Sequence, residues 1–350
     1  MVARAAILTS KPTSPEWPFK NGLEVKELES PEPQNTDAVV KIQAAALNHR
    51  ELWILKGLYP EIVHGGAIGA DAVGILERPG CSTLEPGQRV LICPSVNWDS
   101  DRRGPKPKSF RILGLLPSPG TITDKMTIDG NEVVPCPEHL STAEAAALPL
   151  AGLTAYRALF TKAEAKAGDY ILITGIGGGV ALFALQFAVV RGIHVYVTSS
   201  SEEKIASAVE WGAKGGVNYK DPNAGKKLKE LLGEGNYLSA IVDGAGGDMF
   251  DQFADLMMPG GIISQYGQTA GPGVRYTMDL WFNNVELRGS TMGSRAEFKE
   301  MVDFVDKHKI KPIVSKVFKG LTQENVDDAI TYLSGGQQLG KVVIEIDHQN

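Results

Sequence analysis

Hydrophobic positions in the middle third of the chain form short β-rich runs that alternate with helical patterns. Strands are predicted at 170–174, 194–198, 217–219, 240–243, 261–265 and 285–288. Helices are predicted at 180–190, 225–232 and 249–257, and Ser200 with Glu203 predicts a capping box for another. Strands that alternate with helices indicate βαβ units and a parallel sheet. We therefore expect a doubly wound domain at about residues 150–290.

The first third of the chain has short alternating runs separated by Pro and Gly, which predict mostly antiparallel strands in a barrel-like domain. These runs lie at 39–44, 72–77 and 89–93, and the breaks between runs include 31–33, 79–80 and 86–87. Residues 97–119 are polar, basic and rich in Pro and Gly, and they predict a long surface loop. After residue 290, helices are expected at 296–307 and 323–333, and strands at 313–318 and 341–346. The final strands are expected to rejoin the first domain.

Composition narrows the class of protein. A chain of 350 residues is long enough for about two domains. Its net charge of −6, without a long Lys/Arg block, makes nucleic acid and anionic membranes poor candidate partners. Three cysteines without CxxC spacing exclude a disulfide framework and a four-thiolate zinc site. The most apolar stretch, 180–190, is too short to span a membrane, so we expect a cytoplasmic protein.

A glycine cluster at 175–179 lies between a predicted strand and a predicted helix. Such a turn lets the backbone approach a pyrophosphate, and the helix N-terminus supplies free N–H groups. The strict GxGxxG pattern is not met, because Val180 stands where the last Gly would be. The cluster predicts a dinucleotide site, and a purely structural turn stays open as the alternative.

The end of the second strand bears on which nucleotide would bind. NAD sites place an Asp or Glu about 20 residues past the loop, where it bonds the ribose hydroxyl. Here the sequence reads Thr198 followed by three serines, with Lys204 close by. A carboxylate would repel a 2′-phosphate, whereas hydroxyls and an ammonium would accept it. The pattern favours NADP(H), although Lys204 could equally be a solvated helix residue.

Several segments together resemble the medium-chain dehydrogenase/reductase superfamily, in its zinc-free, quinone-oxidoreductase-like branch. They are ALNHRELW at 46–53, GLYP at 57–60, GADAVG at 69–74, PGQRV at 86–90, AAALPLAGLTAY at 145–156, GGV at 178–180, NY at 218–219 and GKVV at 340–343. The resemblance implies a mostly-β, GroES-like catalytic domain (residues 1–149 and 291–350). It also implies a Rossmann domain (150–290), with the active site in the cleft between the two.

The same resemblance assigns residues to the cofactor and to catalysis. The expected NADP(H) contacts are Thr154, Gly177, Gly178, Gly179, Val180, Ser199, Ser200, Lys204, Tyr219, Gly244, Tyr266 and Lys341. Tyr59 is the expected proton donor, with water as the alternative donor, and a role in anchoring the turn before Pro60 stays open for it. Asn48 is expected to orient the substrate carbonyl or the nicotinamide ribose. Trp53 is expected to wall the pocket, and plain core packing remains open for it.

The zinc-dependent branch of the superfamily has ligands that fall here at Asn48, at 69–71 and near Leu150. Asn, Ala and Leu are not a zinc set, so the resemblance implies a site without metal. Without a metal, hydrogen-bond donors must stabilise the developing oxyanion, which favours reactive acceptors. We expect NADPH-dependent reduction of quinones or α,β-unsaturated carbonyls. A metal-free dehydrogenase of another small carbonyl or alcohol and a non-catalytic nucleotide-binding protein stay open.

Two further expectations are less constrained by the sequence. The polar run at 49–51 is open between surface and functional roles. The substrate is expected to be a small molecule, and a homodimer is expected because relatives commonly pair through sheet edges.

Overall fold

The computed structural model of the chain describes residues 2–29, 32–247 and 249–347. The chain divides into two compact units, Met1–Ala151 with Gly293–Asn350, and Gly152–Met292. The predicted boundaries lie two residues before these at each junction. Of the predicted turn residues, Pro31 lies outside the described part of the chain.

The first unit is built around a seven-stranded sheet in the order β18-β19-β3-β4-β5-β9, with β8 also paired to β3. Its strands are β3 (Asp37–Leu47), β4 (Asp71–Arg78), β5 (Arg89–Ile92), β8 (Lys125–Asp129), β9 (Val133–Pro135), β18 (Val314–Lys319) and β19 (Lys341–Glu345). Among the described strand pairs of this sheet, β18–β19 is parallel and the others are antiparallel. The prediction that the final strands rejoin the first domain is confirmed.

The rest of the first unit consists of short strand pairs and helices. Strand β1 (Val2–Thr9) pairs with β2 (Gly22–Glu29), and β6 (Ser95–Val96) pairs with β7 (Arg111–Ile112). The helices are α1 (His49–Leu55), α2 (Thr142–Ala147), α9 (Arg295–His308) and α10 (Gln323–Ser334), and α3 (Pro149–Tyr156) runs into the second unit. The prediction of a plain surface loop at 97–119 is wrong in part, because β7 lies within it and Trp98 and Leu113 are buried.

The second unit is a six-stranded parallel sheet in the order β12-β11-β10-β13-β15-β17. Its strands are β10 (Tyr170–Ile173), β11 (His194–Ser199), β12 (Gly215–Asn218), β13 (Leu238–Asp243), β15 (Met257–Gln265) and β17 (Glu286–Gly289), and a small pair joins β14 (Gly246–Gly247) to β16 (Gly271–Val274). Its helices are α4 (Gly179–Val190), α5 (Glu202–Glu210), α6 (Ala224–Leu232), α7 (Met249–Phe253) and α8 (Met278–Phe282). This order confirms the doubly wound Rossmann sheet.

Burial explains why the central strands read as continuous apolar runs. Ile171, Leu172 and Ile173 of β10 are fully buried, because helices cover both faces of a parallel sheet. The strand order reverses between β10 and β13, and ligands of such sheets bind at the carboxyl ends of the strands there. The residues that follow β10 and β13 are therefore the candidates for ligand binding.

No helix in the described ranges is long and apolar enough to cross a membrane.

Candidate functional site

The glycine turn after β10 has the backbone geometry that a dinucleotide loop requires. Gly175 and Gly177 have φ angles of 67° and 133°, which residues with a Cβ rarely adopt. The Ile176 N–H donates to the Thr198 carbonyl over 2.8 Å, and the Gly175 N–H donates to Thr198 Oγ1 over 3.1 Å. Thr198 is fully buried at the end of β11, so it fixes the turn against that strand. The exposed Gly178 is the N-cap of α4, and Gly179 and Val180 form its first turn.

Lys204 lies across this turn. A Cβ at Gly177 would stand 3.0 Å from Lys204 Cδ and 3.3 Å from Nζ, so the lysine side chain covers the glycine. The predicted capping box at Ser200 and Glu203 is wrong. The N-cap of α5 is Ser201, whose hydroxyl accepts from the Lys204 N–H over 3.3 Å. The shift of one residue places Lys204 in the first turn of α5.

The residues after β11 and β12 lie side by side. The Tyr219 N–H donates to the Ser199 carbonyl over 3.1 Å, and Ser199 Oγ accepts from the Ser201 N–H over 3.1 Å. Ser199 is buried, Ser200 is exposed and Tyr219 is half-buried. The structure thus brings Ser199, Ser201 and Tyr219 into one group at the strand ends.

Asp243 organises the turn that follows β13. Its carboxylate accepts from Thr174 Oγ1 over 2.6 Å and from two backbone N–H groups, those of Ala245 and Gly246, over 3.0 Å each. Gly244 has no room for a side chain, because a Cβ there would stand 2.5 Å from the Tyr266 ring. Burial, together with the Asp243 carboxylate, raises the pKa of Tyr266. The sequence predicts Gly244 and Tyr266 as cofactor contacts, which stays a prediction, and it does not point to Asp243 and Thr174, which hold the turn in place.

Thr154, the remaining cofactor contact predicted in the second unit, is buried on α3. Its Oγ1 lies 3.8 Å from Sδ of Met292, also in the second unit.

In the first unit, Asn48, Asp71 and Lys341 form a buried polar cluster. Lys341 Nζ donates to Asp71 Oδ2 over 2.8 Å, to Asn48 Oδ1 over 2.5 Å and to the Leu47 carbonyl over 2.7 Å. Asn48 Nδ2 donates to Asp71 Oδ2 over 2.9 Å, and the Leu150 N–H donates to Asp71 Oδ1 over 2.6 Å. Lys341 was expected to touch the cofactor. All three N–H groups of Lys341 Nζ are engaged inside this cluster. The contact between Lys341 and the cofactor stays a prediction.

Strand pairing sets this cluster. Leu47 at the end of β3 pairs with Val342 of β19, and Ala46 pairs with Asp71 of β4. Asn48 directly follows Leu47, and Lys341 directly precedes Val342. Three neighbouring strands therefore bring these side chains to one end of the sheet.

A second ion pair extends the cluster along α1. Glu51 accepts from the Asn48 N–H over 2.6 Å and from Arg50 Nη1 over 3.0 Å. Burial raises the pKa of the Glu51 carboxyl, although Arg50 opposes this effect. Arg50 Nη1 also donates to the Leu113 carbonyl over 2.9 Å. Of the run left open between surface and functional roles, His49 is exposed, whereas Arg50 and Glu51 are buried.

The aromatic candidates lie on or beside α1. Tyr59 is half-buried, and the Arg50 guanidinium carbon lies 5.1 Å from the centre of its ring. Trp53 is also half-buried, and Lys56 Nζ lies 5.6 Å from its ring centre. One short segment, residues 48–59, therefore carries Asn48, Trp53 and Tyr59. Arg50 bonds the buried Glu51 carboxylate and also lies over the Tyr59 ring.

The positions implied for zinc ligands do converge, but their chemistry does not suit zinc. Asn48, Asp71 and the backbone of Leu150 meet within hydrogen-bond distance. Zinc sites use thiolates, imidazoles and free carboxylates. Here the Asp71 carboxylate is already paired with the Lys341 ammonium, and the Ala70 side chain has no atom that could bind a metal. Among the described residues, no group of three or more His, Cys, Asp or Glu could hold a metal ion.

Comparison with known protein families gives two matches along the chain. Residues 34–138 match the alcohol dehydrogenase GroES-like domain. Residues 179–307 match the zinc-binding dehydrogenase family. The first match lies in the first unit, and the second covers most of the second unit and continues into the first at 293–307.

Curated relatives match over nearly the whole chain. The zinc-type alcohol dehydrogenase-like protein YogA of Leptosphaeria maculans is 41% identical, covering 93% of this chain and 94% of its own. The zinc-type alcohol dehydrogenase-like protein C1773.06c of Schizosaccharomyces pombe is 33% identical, covering 93% and 95%. An acryloyl-coenzyme A reductase of Metallosphaera sedula is 27% identical, covering 93% and 97%.

Solved structures share the fold. A putative alcohol dehydrogenase from Sinorhizobium meliloti 1021 has a TM-score of 0.87 at 30% identity, covering 99% of this chain and 98% of its own. An NAD-dependent alcohol dehydrogenase has a TM-score of 0.85 at 31% identity, covering 98% and 100%. The crotonyl-CoA carboxylase/reductase AntE in complex with NADP has a TM-score of 0.86 at 22% identity, covering 100% and 96%, and this last likeness concerns the fold alone.

Proposed function

Since the chain belongs to the medium-chain dehydrogenase/reductase superfamily and is an oxidoreductase of that type, we propose that it reduces activated acceptors with NADPH. The acceptors would be quinones or α,β-unsaturated carbonyl compounds, and the reaction would use no metal. The observation that carries this proposal is the Asn48–Asp71–Lys341 cluster. It offers an oriented hydrogen-bond donor at positions where zinc-dependent relatives would supply metal ligands.

NADPH as the reductant is supported by the residues after β11. That strand ends in Thr198 and Ser199, without the carboxylate that would hold the ribose hydroxyl of NAD. Lys204 covers the glycine turn, and its ammonium would attract a 2′-phosphate. Tyr219, whose backbone is bonded to that of Ser199, would be close to the same group. Both the hydroxyls and the ammonium suit a dianionic phosphate.

The proposed reaction needs stabilisation of negative charge on oxygen. NADPH held by the glycine turn, Lys204 and Tyr219 would supply a hydride to the β-carbon of an enone, the C=C electron pair would move toward the carbonyl, and NADP⁺ would remain. Asn48 donates a hydrogen bond to the resulting enolate oxygen. A proton then reaches the α-carbon from Tyr59 or from water. With a quinone, hydride and a proton give the hydroquinone.

The test is NADPH consumption with a panel of quinones, enones and enoyl thioesters. NADH runs beside NADPH, and each assay is repeated after dialysis against a chelator. Turnover of conjugated acceptors that survives chelation supports the proposal. Tight NADPH binding without turnover of any acceptor would instead identify a non-catalytic nucleotide-binding protein. Turnover of saturated carbonyls or alcohols alone would identify a dehydrogenase of another small substrate.

A second candidate is zinc-dependent alcohol oxidation, which the names of two relatives at 41% and 33% identity favour. That reaction needs a Lewis acid held by the protein. The donor set around Asp71 does not suit that role, because the carboxylate oxygens are already bonded to Lys341, Asn48 and Leu150. The name of the acryloyl-coenzyme A reductase relative accords better with a conjugated acceptor.

A further inference from the structure

We propose that Lys341 is a positioning residue that fixes the Asn48 side chain in one amide orientation, so that Asn48 acts on the substrate only as a hydrogen-bond donor. This inference rests on the proposed function, in which Asn48 donates a hydrogen bond to the reacting oxygen. It states which end of the Asn48 amide is turned toward that oxygen. The amide orientation also bears on which of two predicted roles Asn48 has, orienting the substrate carbonyl or orienting the nicotinamide ribose.

The ammonium of Lys341 has no remaining capacity for another partner. Its three protons go to the Leu47 carbonyl, to Asn48 Oδ1 and to Asp71 Oδ2, over 2.7, 2.5 and 2.8 Å. An ammonium donates three hydrogen bonds and accepts none. Lys341 is only 3% exposed, so water does not compete for these protons. The side chain thus serves the cluster itself.

The two charged neighbours of the amide decide its orientation. In the observed arrangement Asn48 Oδ1 faces the Lys341 ammonium, and Nδ2 donates to Asp71 Oδ2 over 2.9 Å. Turning the amide over would direct its N–H protons at the ammonium and its oxygen at the carboxylate. Both contacts would be repulsive in a buried site, where charges are weakly screened. The hydrogen-bond network therefore assigns the amide oxygen and nitrogen.

What remains for the substrate is one N–H group. An amide carries two N–H donors and one carbonyl oxygen. The oxygen and one N–H are used, and no described residue accepts the second N–H. Asn48 keeps 8% of its surface accessible. It can donate to an oxygen that gains negative charge, and the adjacent ammonium strengthens that donor by polarising the amide.

The first experiment compares Asn48→Asp with Asn48→Ala. Asp keeps the shape and can still bond Lys341, but it has no N–H to offer the substrate. We expect kcat to fall by about 100-fold or more in both variants, which is typical of losing one oxyanion donor. A kcat of Asn48→Asp within about threefold of wild type, with Asn48→Ala impaired, would show an acceptor role and overturn the inference.

The second experiment places Lys341→Met in the wild-type background and in the Asn48→Ala background. If Lys341 acts through Asn48, kcat should fall about tenfold in the first background and less than about twofold in the second. The dissociation constant for NADPH should be unchanged in both, because the positioning role replaces the cofactor contact that the sequence predicts for Lys341. The matched control is Lys316→Met on the neighbouring strand β18, where the lysine is exposed.

Lys341→Met alone leaves Asp71 without its cation and could fail to fold. The pair Lys341→Met with Asp71→Asn removes both charges and keeps the cycle measurable. Equal losses of kcat in the two Asn48 backgrounds, or a weaker affinity for NADPH as the main effect, would overturn the positioning role.

A parallel cycle of urea unfolding, with the same variants, reports the Lys341–Asn48 coupling without any turnover. An absent coupling there would overturn the inference by itself. A wild-type protein that reduces no acceptor but shows the coupling would refute the proposed function instead.

Discussion

Glu132 is a buried carboxyl through which pH should act on the stability of the first unit. It lies in the 3₁₀ turn Gly130–Glu132 and is 3% exposed. Its Oε1 is 3.6 Å from Arg295 Nη1, and its Oε2 is buried without a hydrogen-bond partner. Burial raises the pKa of this carboxyl from 4.5 to about 7, although Arg295 opposes the effect. Replacing Glu132 with Gln removes the titration while nearly preserving the shape.

The magnitude follows from linkage between protonation and folding. Between pH 4.5 and about 7 the folded state holds a proton that the unfolded chain has lost. The free energy of unfolding therefore falls as pH rises through this range, by about 3 kcal/mol when each pKa unit is worth about 1.36 kcal/mol. Glu132 penalises the folded state fully above pH 7 and not at all below pH 4.5.

The assay is urea unfolding of wild type and Glu132→Gln at several pH values between about 4.5 and 8. The difference between the two proteins cancels the titrating groups that do not interact with Glu132. We expect the stability of the variant relative to wild type to increase by about 3 kcal/mol toward high pH. The exposed Glu138→Gln is the control and should show no such trend. A pH-independent difference for Glu132→Gln would refute the reasoning.

Three further predictions concern the nucleotide unit and the metal. Lys204→Ala with Tyr219→Phe should weaken NADPH binding by at least about tenfold and NADH binding by much less, since one lost ion pair with phosphate is worth about 1.4 kcal/mol or more; equal losses measured by fluorescence titration would contradict the proposed phosphate site. Gly177→Val should raise the dissociation constants of both cofactors, because the side chain strains a φ of 133° and displaces Lys204; unchanged titrations would argue against this turn as the cofactor loop. Elemental analysis of the purified protein should find less than about 0.1 zinc per chain, given a donor set unlike those of zinc sites; one zinc per chain would contradict the metal-free proposal.

The sequence predicts the second unit well because its signals are local. The strands at 170–174 and 194–198 and the glycine turn between them are visible as short runs, and the structure has them at β10, β11 and α4. The capping prediction failed by one residue, because Ser199, Ser200 and Ser201 are chemically equivalent in the sequence. Only the backbone path decides which hydroxyl meets the Lys204 N–H.

The candidate site in the first unit was less accessible to sequence reasoning. Asn48 and Tyr59 could be named through family resemblance, but the partners of Asn48 lie 23 and 293 positions away along the chain. No local pattern shows that Lys341 meets Asp71, since strand pairing brings them together. The sequence leaves the run at 49–51 open between surface and functional roles, whereas in the structure the Glu51 carboxylate is buried against Asn48 and Arg50.

Strands β18 and β19 belong to the first sheet but follow the second unit along the chain. During synthesis, the first unit therefore cannot be completed before the second unit has been made. Asp71 is synthesised 270 residues before Lys341, the cation that neutralises it. Residues 152–292 form a continuous segment and can acquire their structure while the nascent chain is still growing. The first unit cannot close its buried charges until residue 341 emerges. A nascent chain stopped before that residue would hold an uncompensated carboxylate in its interior, so it should be a preferred target for chaperones and proteases.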